Sequence, residues 1–215
     1  TNTERESRKL MLSMVHRAYD QRLCTSTEGT FSVRVGEGAG EGAGDFLITP
    51  YGIDRKYMEI SDLVSIRDGR RERGKEPSRS LPLHQKIYAK HPGINAVIIA
   101  HPTNIMAFAV SRRKFDTLVI PETFVMLMEI PLLPYGFQYR EQDRVAGLIS
   151  PENPAVLVEN DCIITSGSSL LQAFDRLEVA EFSAAAVISA GAIGGVVPIS
   201  SSERDELESA FIKKS

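Results

Sequence analysis

Residues 96–100, Ala-Val-Ile-Ile-Ala, form an unbroken apolar run closed by His101 and Pro102. This run constrains the fold more than any other stretch of the chain. It is too short for a helix that could stand alone and is rich in β-branched residues, so it reads as a buried strand. Helical patterns flank it on both sides, over residues 81–90 and 104–111.

The other elements follow from periodicity and turn residues. Leu10, Met14 and Ala18 at fourfold spacing, with Val15 beside them, predict an amphipathic first helix that ends before Leu23. Residues 31–35 and 46–49 are strand-like and are joined by the Gly-rich segment 36–44. That segment lacks the following helix and the Lys of a phosphate-binding P-loop, so it reads as a hairpin tip. Residues 156–158 and 162–165 read as a hairpin turning through Asn160 and Asp161. The stretch 170–192 is apolar on several sides, as expected of a helix packed against a sheet or a neighbouring subunit. Ser201 and Ser202 ahead of Glu203 predict a short capped terminal helix.

Bulk properties exclude some classes of function. A formal charge of -3 argues against a general nucleic-acid or membrane-surface role. No apolar run has transmembrane length, and the charged opening is not a signal peptide. Cys24 and Cys162 share no metal or redox spacing and read as reduced thiols of a cytoplasmic protein. With 42% hydrophobic residues, the chain reads as one domain over 1–215. Its start at Thr1 leaves room for excision from a longer tandem protein.

Several motifs then occur in a fixed order. Gly29, Thr30, Phe31, Ser32, Val33 and Arg34 come first, followed by Thr49, Pro50, Tyr51 and Gly52. Pro77, Ser78, Arg79 and Ser80 precede His84, and the apolar run ends at His101 and Pro102. Ile130, Pro131, Leu132, Leu133, Pro134 and Tyr135 come next. Glu159, Asn160 and Asp161 open a hydrophobic run that ends at Gly167, and LLQAFDRLEVAE follows at 170–181. In content and order these motifs resemble the class II aldolase and adducin family over about residues 7–195. The resemblance implies an α/β fold, an α/β/α sandwich whose central, mainly antiparallel sheet of about seven to nine strands lies between helical layers.

It also implies a site. Active members of the family hold a divalent metal with three histidines, two of them at i and i+2 on one strand and so on one face. Ile99 replaces the first of these, His101 remains at the second, and Asp161 stands at the third. Ser80 occupies the position of the family's catalytic Glu, and no tyrosine occurs in the segment PETFVMLME, where some members carry a catalytic Tyr. Aldol cleavage needs a Lewis acid for the enediolate and a base for the proton. Ile99 has no ligand atom, and the Ser80 hydroxyl has too high a pKa to act as that base. The family's phosphate loops map onto Gly29, Thr30, Tyr51, Gly52, Ser78 and Arg79, where backbone amides, hydroxyls and a guanidinium suit a small anion.

Each residue also has a plainer reading. His101 and His84 can be hydrogen-bonded structural residues, and His16 and His91 packing or surface residues. Asp161 can satisfy turn amides, and Arg79 can fill the pocket or form a salt bridge. Two classes of function follow. One is a non-catalytic scaffold, regulatory or small-anion-binding homologue for which no cofactor is expected. The other is a sugar-phosphate aldolase or lyase with an altered site on His101, Asp161 and His84, using zinc or another divalent metal, or completed by a partner. The resemblance further implies a homo-oligomer, a tetramer, or association with an intact aldolase-like copy. Residues 124–131 and the second half of the long helix are the expected interface.

Overall fold

The structure, a computed structural model, describes residues 2–35 and 43–212. Among these, eight strands form one sheet. They are β1 (Thr30–Arg34), β2 (Phe46–Ile48), β3 (Val64–Arg67), β4 (Arg70–Arg71), β5 (Ala96–Ala100), β6 (Leu132–Leu133), β7 (Ala155–Val158) and β8 (Cys162–Gly167), in spatial order β4-β3-β2-β1-β5-β8-β7-β6. Neighbours are antiparallel except β6 and β7, which run parallel. The expected mainly antiparallel sheet between helical layers is therefore what the chain forms.

Strand β5 shows why its sequence has no polar alternation. Ala96, Ile98 and Ala100 enter one hydrophobic core, while Val97 and Ile99 enter the other, so both faces are covered. The first core is closed by α1 (Asn2–Asp20), α3 (Thr103–Ser111), α4 (Pro121–Leu127) and α7 (Leu170–Ala190). The second is closed by α2 (Leu81–Lys90) and α6 (Gln142–Leu148). In α7 one stripe, including Ala173, Phe174, Leu177, Ala180 and Ala184, is buried against the sheet. Truncating a fully buried ring such as Phe174 to Ala would cost about 3–5 kcal/mol.

Several expectations about elements need correction. In α1 the buried positions are Met11, Met14, Val15 and Ala18, while Leu10 is 45% exposed. The stripe thus follows i, i+3, i+4, i+7 rather than a strict fourfold step, because 3.6 residues per turn carries a fourfold row off the core face. Helix α7 ends at Ala190, before the expected 192. Terminal helix α8 (Ser201–Leu207) is capped by Ser200, whose hydroxyl takes the Glu203 amide while Glu203 returns the bond. Ser201 and Ser202 lie inside it. The hairpin of β1 and β2 pairs Ser32 with Ile48 and Arg34 with Phe46. Most of its expected Gly-rich tip, 36–42, lies outside the described residues. No described helix is long and apolar enough to cross a membrane.

Candidate functional site

The C-terminal end of β5 opens into a small polar cleft with an internal volume of about 40 Å³, room for a few water molecules. The loop leading into β1, the loop after β2, the start of α2 and the turn before β8 all converge there. Short helix α5 (Phe137–Arg140) closes the remaining side.

Gly29 and Thr30 line the cleft from the first loop. Gly29 sits at φ +101, and a Cβ there would lie 2.7 Å from the Cys24 Cβ, so both backbone and space demand glycine. From the turn leading into α2, Ser78, Arg79 and Ser80 reach the same space. The Ser78 and Thr30 hydroxyls are 2.6 Å apart, and the Ser80 amide donates to Ser78 Oγ at 3.3 Å. Ser80 is the N-cap of α2 but makes no side-chain capping bond, which leaves its hydroxyl for the cleft. The exposed Arg79 guanidinium stacks 5.2 Å above the Tyr51 ring. It makes no ion pair among the described residues, so the salt-bridge reading of Arg79 does not hold there.

Ile99 and His101 line the cleft side by side, as i and i+2 require, and Asp161 faces them from the turn before β8. Of the residues expected at the site, Gly52, at φ +69 in the second loop, and His84 are not part of the cleft lining. Asp161 departs from its plainer reading, because no side-chain hydrogen bond to turn amides forms. Its own amide donates to the Val158 carbonyl, and Asn160, at φ 55, supplies the left-handed turn. Burial raises the Asp161 pKa, partly offset by His101. Burial lowers that of His101, partly offset by Asp161 and Glu28, so the ring is neutral near pH 7.

A divalent metal does not fit these residues. Ile99 contributes no donor atom, and among the described residues no group of three His, Cys, Asp or Glu side chains comes together to hold an ion.

Four cleft residues had no signal in the sequence. Arg55 is the largest fully buried side chain, at 1% exposure. It donates to the Gly29 carbonyl at 2.9 and 3.2 Å and to the Pro50 carbonyl at 3.2 Å, tying the two loops together. Burial lowers its pKa, eased by Cys24 and Glu28, though a guanidinium still stays charged. Glu28 also lines the cleft. Tyr139 stands at the mouth, 56% exposed, with its phenol pKa raised by burial and by Asp161. This tyrosine lies outside the segment PETFVMLME. Gln138, 3% exposed, lines the cleft beside it. Its amide is close enough to Tyr139 to lower the phenol's pKa slightly, yet neither amide atom reaches hydrogen-bond geometry.

Behind the cleft His84 is structural. Its Nδ1 meets Ser32 Oγ at 2.6 Å, Ser32 Oγ meets the Tyr88 hydroxyl at 2.6 Å, and all three side chains are fully buried. His16 Nε2 meets the Met58 carbonyl at 3.0 Å and His91 Nε2 the Ala146 carbonyl at 2.8 Å, in keeping with packing roles. Beyond His101, Glu181 of α7 accepts the Asn104 amide at 3.0 Å and the Ile105 amide at 2.9 Å. That carboxylate caps α3, whose N-cap Pro102 has no side-chain donor or acceptor, and so fixes the chain leaving the cleft.

An eight-stranded, mainly antiparallel sheet with a cleft at the end of its central strand defines the class. The chain belongs to the family described as Class II Aldolase and Adducin N-terminal domain, whose model matches residues 9–188. An L-fuculose phosphate aldolase from Methanococcus maripaludis is 26% identical over 164 residues, 76% of this chain and 86% of that protein. A 3-oxo-tetronate 4-phosphate decarboxylase from Escherichia coli is 25% identical over 197 residues, 87% of this chain and 89% of that one. Among solved structures, Escherichia coli YgbL superposes with a TM-score of 0.85 at 23% identity, covering 95% of this chain and 98% of its own, a likeness of fold.

Proposed function

We propose that this family member binds a small phosphorylated or otherwise anionic ligand in the cleft and does not carry the family's three-histidine metal chemistry. The observation that carries this reading is Arg79, a cation without an ion-pair partner among the described residues, set beside the Thr30 and Ser78 hydroxyls in the cleft where Ile99 and Asp161 replace histidines. A planar guanidinium with two adjacent hydroxyls suits a phosphate or carboxylate. Buried Arg55 adds a second positive charge to the cleft lining. The role that follows is scaffold or regulatory rather than catalytic, since an enediolate would find neither Lewis acid nor carboxylate base at the family positions.

Isothermal titration with propyl phosphate tests this reading. Wild-type protein is expected to bind it, and Arg79→Ala to bind at least tenfold more weakly with an unchanged melting temperature, because Arg79 is exposed. Equal affinities for the two proteins would overturn the reading.

A second reading, a lyase with an altered site, is favoured by His101, Asp161, Glu28 and Tyr139 lining one cleft and influencing one another's charge. Turnover of fuculose 1-phosphate or ribulose 5-phosphate would support it, and abolition by a chelator would bring back a metal. We also propose that the chain self-associates as a tetramer, since Phe182, Ile193 and Val197 are 69–89% exposed. Light scattering that finds a monomer would refute it.

A further inference from the structure

At the far edge of the sheet, separated from β5 by β3, β2 and β1, a groove of about 420 Å³ runs between the start of α1 and the β3–β4 hairpin. It shares no lining residue with the cleft. Strand alternation shows which side chains face it. Val64 and Ile66 of β3 enter the second core, so Ser65 and Arg67 point to the opposite face, where Arg67 meets Glu4 of α1 at 2.6 Å. Arg70 stands opposite Arg67 in the β3–β4 register and shares its face.

The charges around the groove satisfy one another with a single exception. Glu4 accepts from Arg8 at 3.1 Å as well as from Arg67, Glu72 pairs with Lys75 at 3.2 Å, and Arg71 pairs with Glu76. The exposed Arg70 guanidinium has no ion pair and no side-chain hydrogen bond among the described residues. On the same face Ser65 is only 6% exposed, and its hydroxyl has no hydrogen-bond partner among the described residues. A buried hydroxyl left unpaired is costly, and such groups are commonly matched by something bound. A free guanidinium and a free hydroxyl on one face call for an acceptor that meets both. A phosphate does so, because its tetrahedral oxygens splay towards wall and floor at once, whereas a planar carboxylate spends both oxygens on the guanidinium fork. Arg67 and Arg71, more than half exposed, hold only part of their donors in ion pairs and can close on further oxygens.

We infer that this groove is a second anion site, which takes the phosphate groups of a ligand too large for the cleft, with Arg70 and Ser65 as their first partners. The inference does not rest on the cleft reading. Its volume falls within the roughly 300–1,000 Å³ of small-ligand sites, against about 40 Å³ for the cleft.

Titration calorimetry with inorganic pyrophosphate in metal-free buffer tests it, since the cleft has room for only a few waters. Wild-type protein is expected to bind one equivalent. Arg70→Ala should bind at least tenfold more weakly, the worth of one charge-assisted hydrogen bond, while Arg79→Ala, altered in the cleft, should match wild type. Ser65→Ala should also lose about tenfold, yet melt no lower than wild type without ligand, because its hydroxyl leaves no protein partner behind. No binding to wild type, or undiminished binding by Arg70→Ala or Ser65→Ala, would overturn the site. A lower melting temperature for ligand-free Ser65→Ala would show a hydroxyl already paired, and the site would fall. A loss in Arg79→Ala would put the anion in the cleft and overturn the groove while the cleft reading stands. An equal loss in Arg73→Ala, an exposed cation of the same segment outside the groove lining, would show only diffuse attraction to a basic surface and would overturn the site as well. Citrate binding as tightly as pyrophosphate would overturn the assignment to phosphate.

Discussion

Acidification should destabilise this protein through the fully buried His84. His84 is fully buried, with no carboxylate among its hydrogen-bond partners, and burial pushes its pKa down from 6.5 to about 3. Folding therefore favours the neutral ring. Stability is whole above the unfolded value of 6.5 and is lost as pH falls towards 3, where the folded ring finally protonates. At 1.36 kcal/mol per pH unit, the full loss is about 5 kcal/mol, and about 2 kcal/mol of it has gone by pH 5. That is a large share of the ~5–15 kcal/mol by which a domain is stable. The consequence reaches the cleft, because His84 pins α2 to β1 through Ser32, and the residues just before α2, Ser78, Arg79 and Ser80, line the cleft. Urea unfolding of wild type and His84→Gln at pH 7 and pH 5 isolates the effect, since carboxylates and other titrating groups are common to both proteins. Wild type should lose about 2 kcal/mol more than the variant between the two pH values. Parallel losses would refute the reasoning, and would mean that the charged ring is solvated or paired with a negative charge in the folded state.

Gly29→Ala should destabilise the fold by roughly 2–4 kcal/mol, from the positive φ together with the collision with Cys24, measurable as a fall in the urea midpoint. An unchanged midpoint would show that the first loop is freer than its geometry indicates. Neither thiol should react with an aromatic disulfide at pH 8 until denaturant is added, because burial pushes Cys24 up to about 11 and also raises Cys162. Rapid labelling of native protein would contradict that. Ile99→His combined with Asp161→His should bring zinc affinity from undetectable to about micromolar or tighter in calorimetry, since Ile99 lies beside His101 and Asp161 lines the same cleft. No added heat would mean that the backbones stand too far apart for one ion.

The sequence by itself determined the elements that carry strong local signals. Helix α2 and strand β5 run over the residues that periodicity and β-branching assign, because ten residues of helical pattern and five apolar residues between turn signals leave few alternatives. Motif order was enough to place Ile99, His101, Asp161, Ser80 and Arg79 around one cleft, since backbone loops of a shared fold bring the same positions together. Short elements left no such trace. Strands β4 and β6 have two residues each, and α4, α5 and α6 have four to seven, below the length at which a period can be counted. They exist because neighbours complete their hydrogen bonds and cover their apolar side. Tertiary structure alone decided the polar chemistry of the cleft. Arg55 clasps two loops, Glu181 caps a helix 76 residues away in sequence, and Gln138 is buried without a partner, each through contacts no local pattern encodes. A charge or an amide looks the same in a sequence whether it faces water or the interior; only folding, by removing the water, turns it into a clasp, a cap or an unmet hydrogen bond.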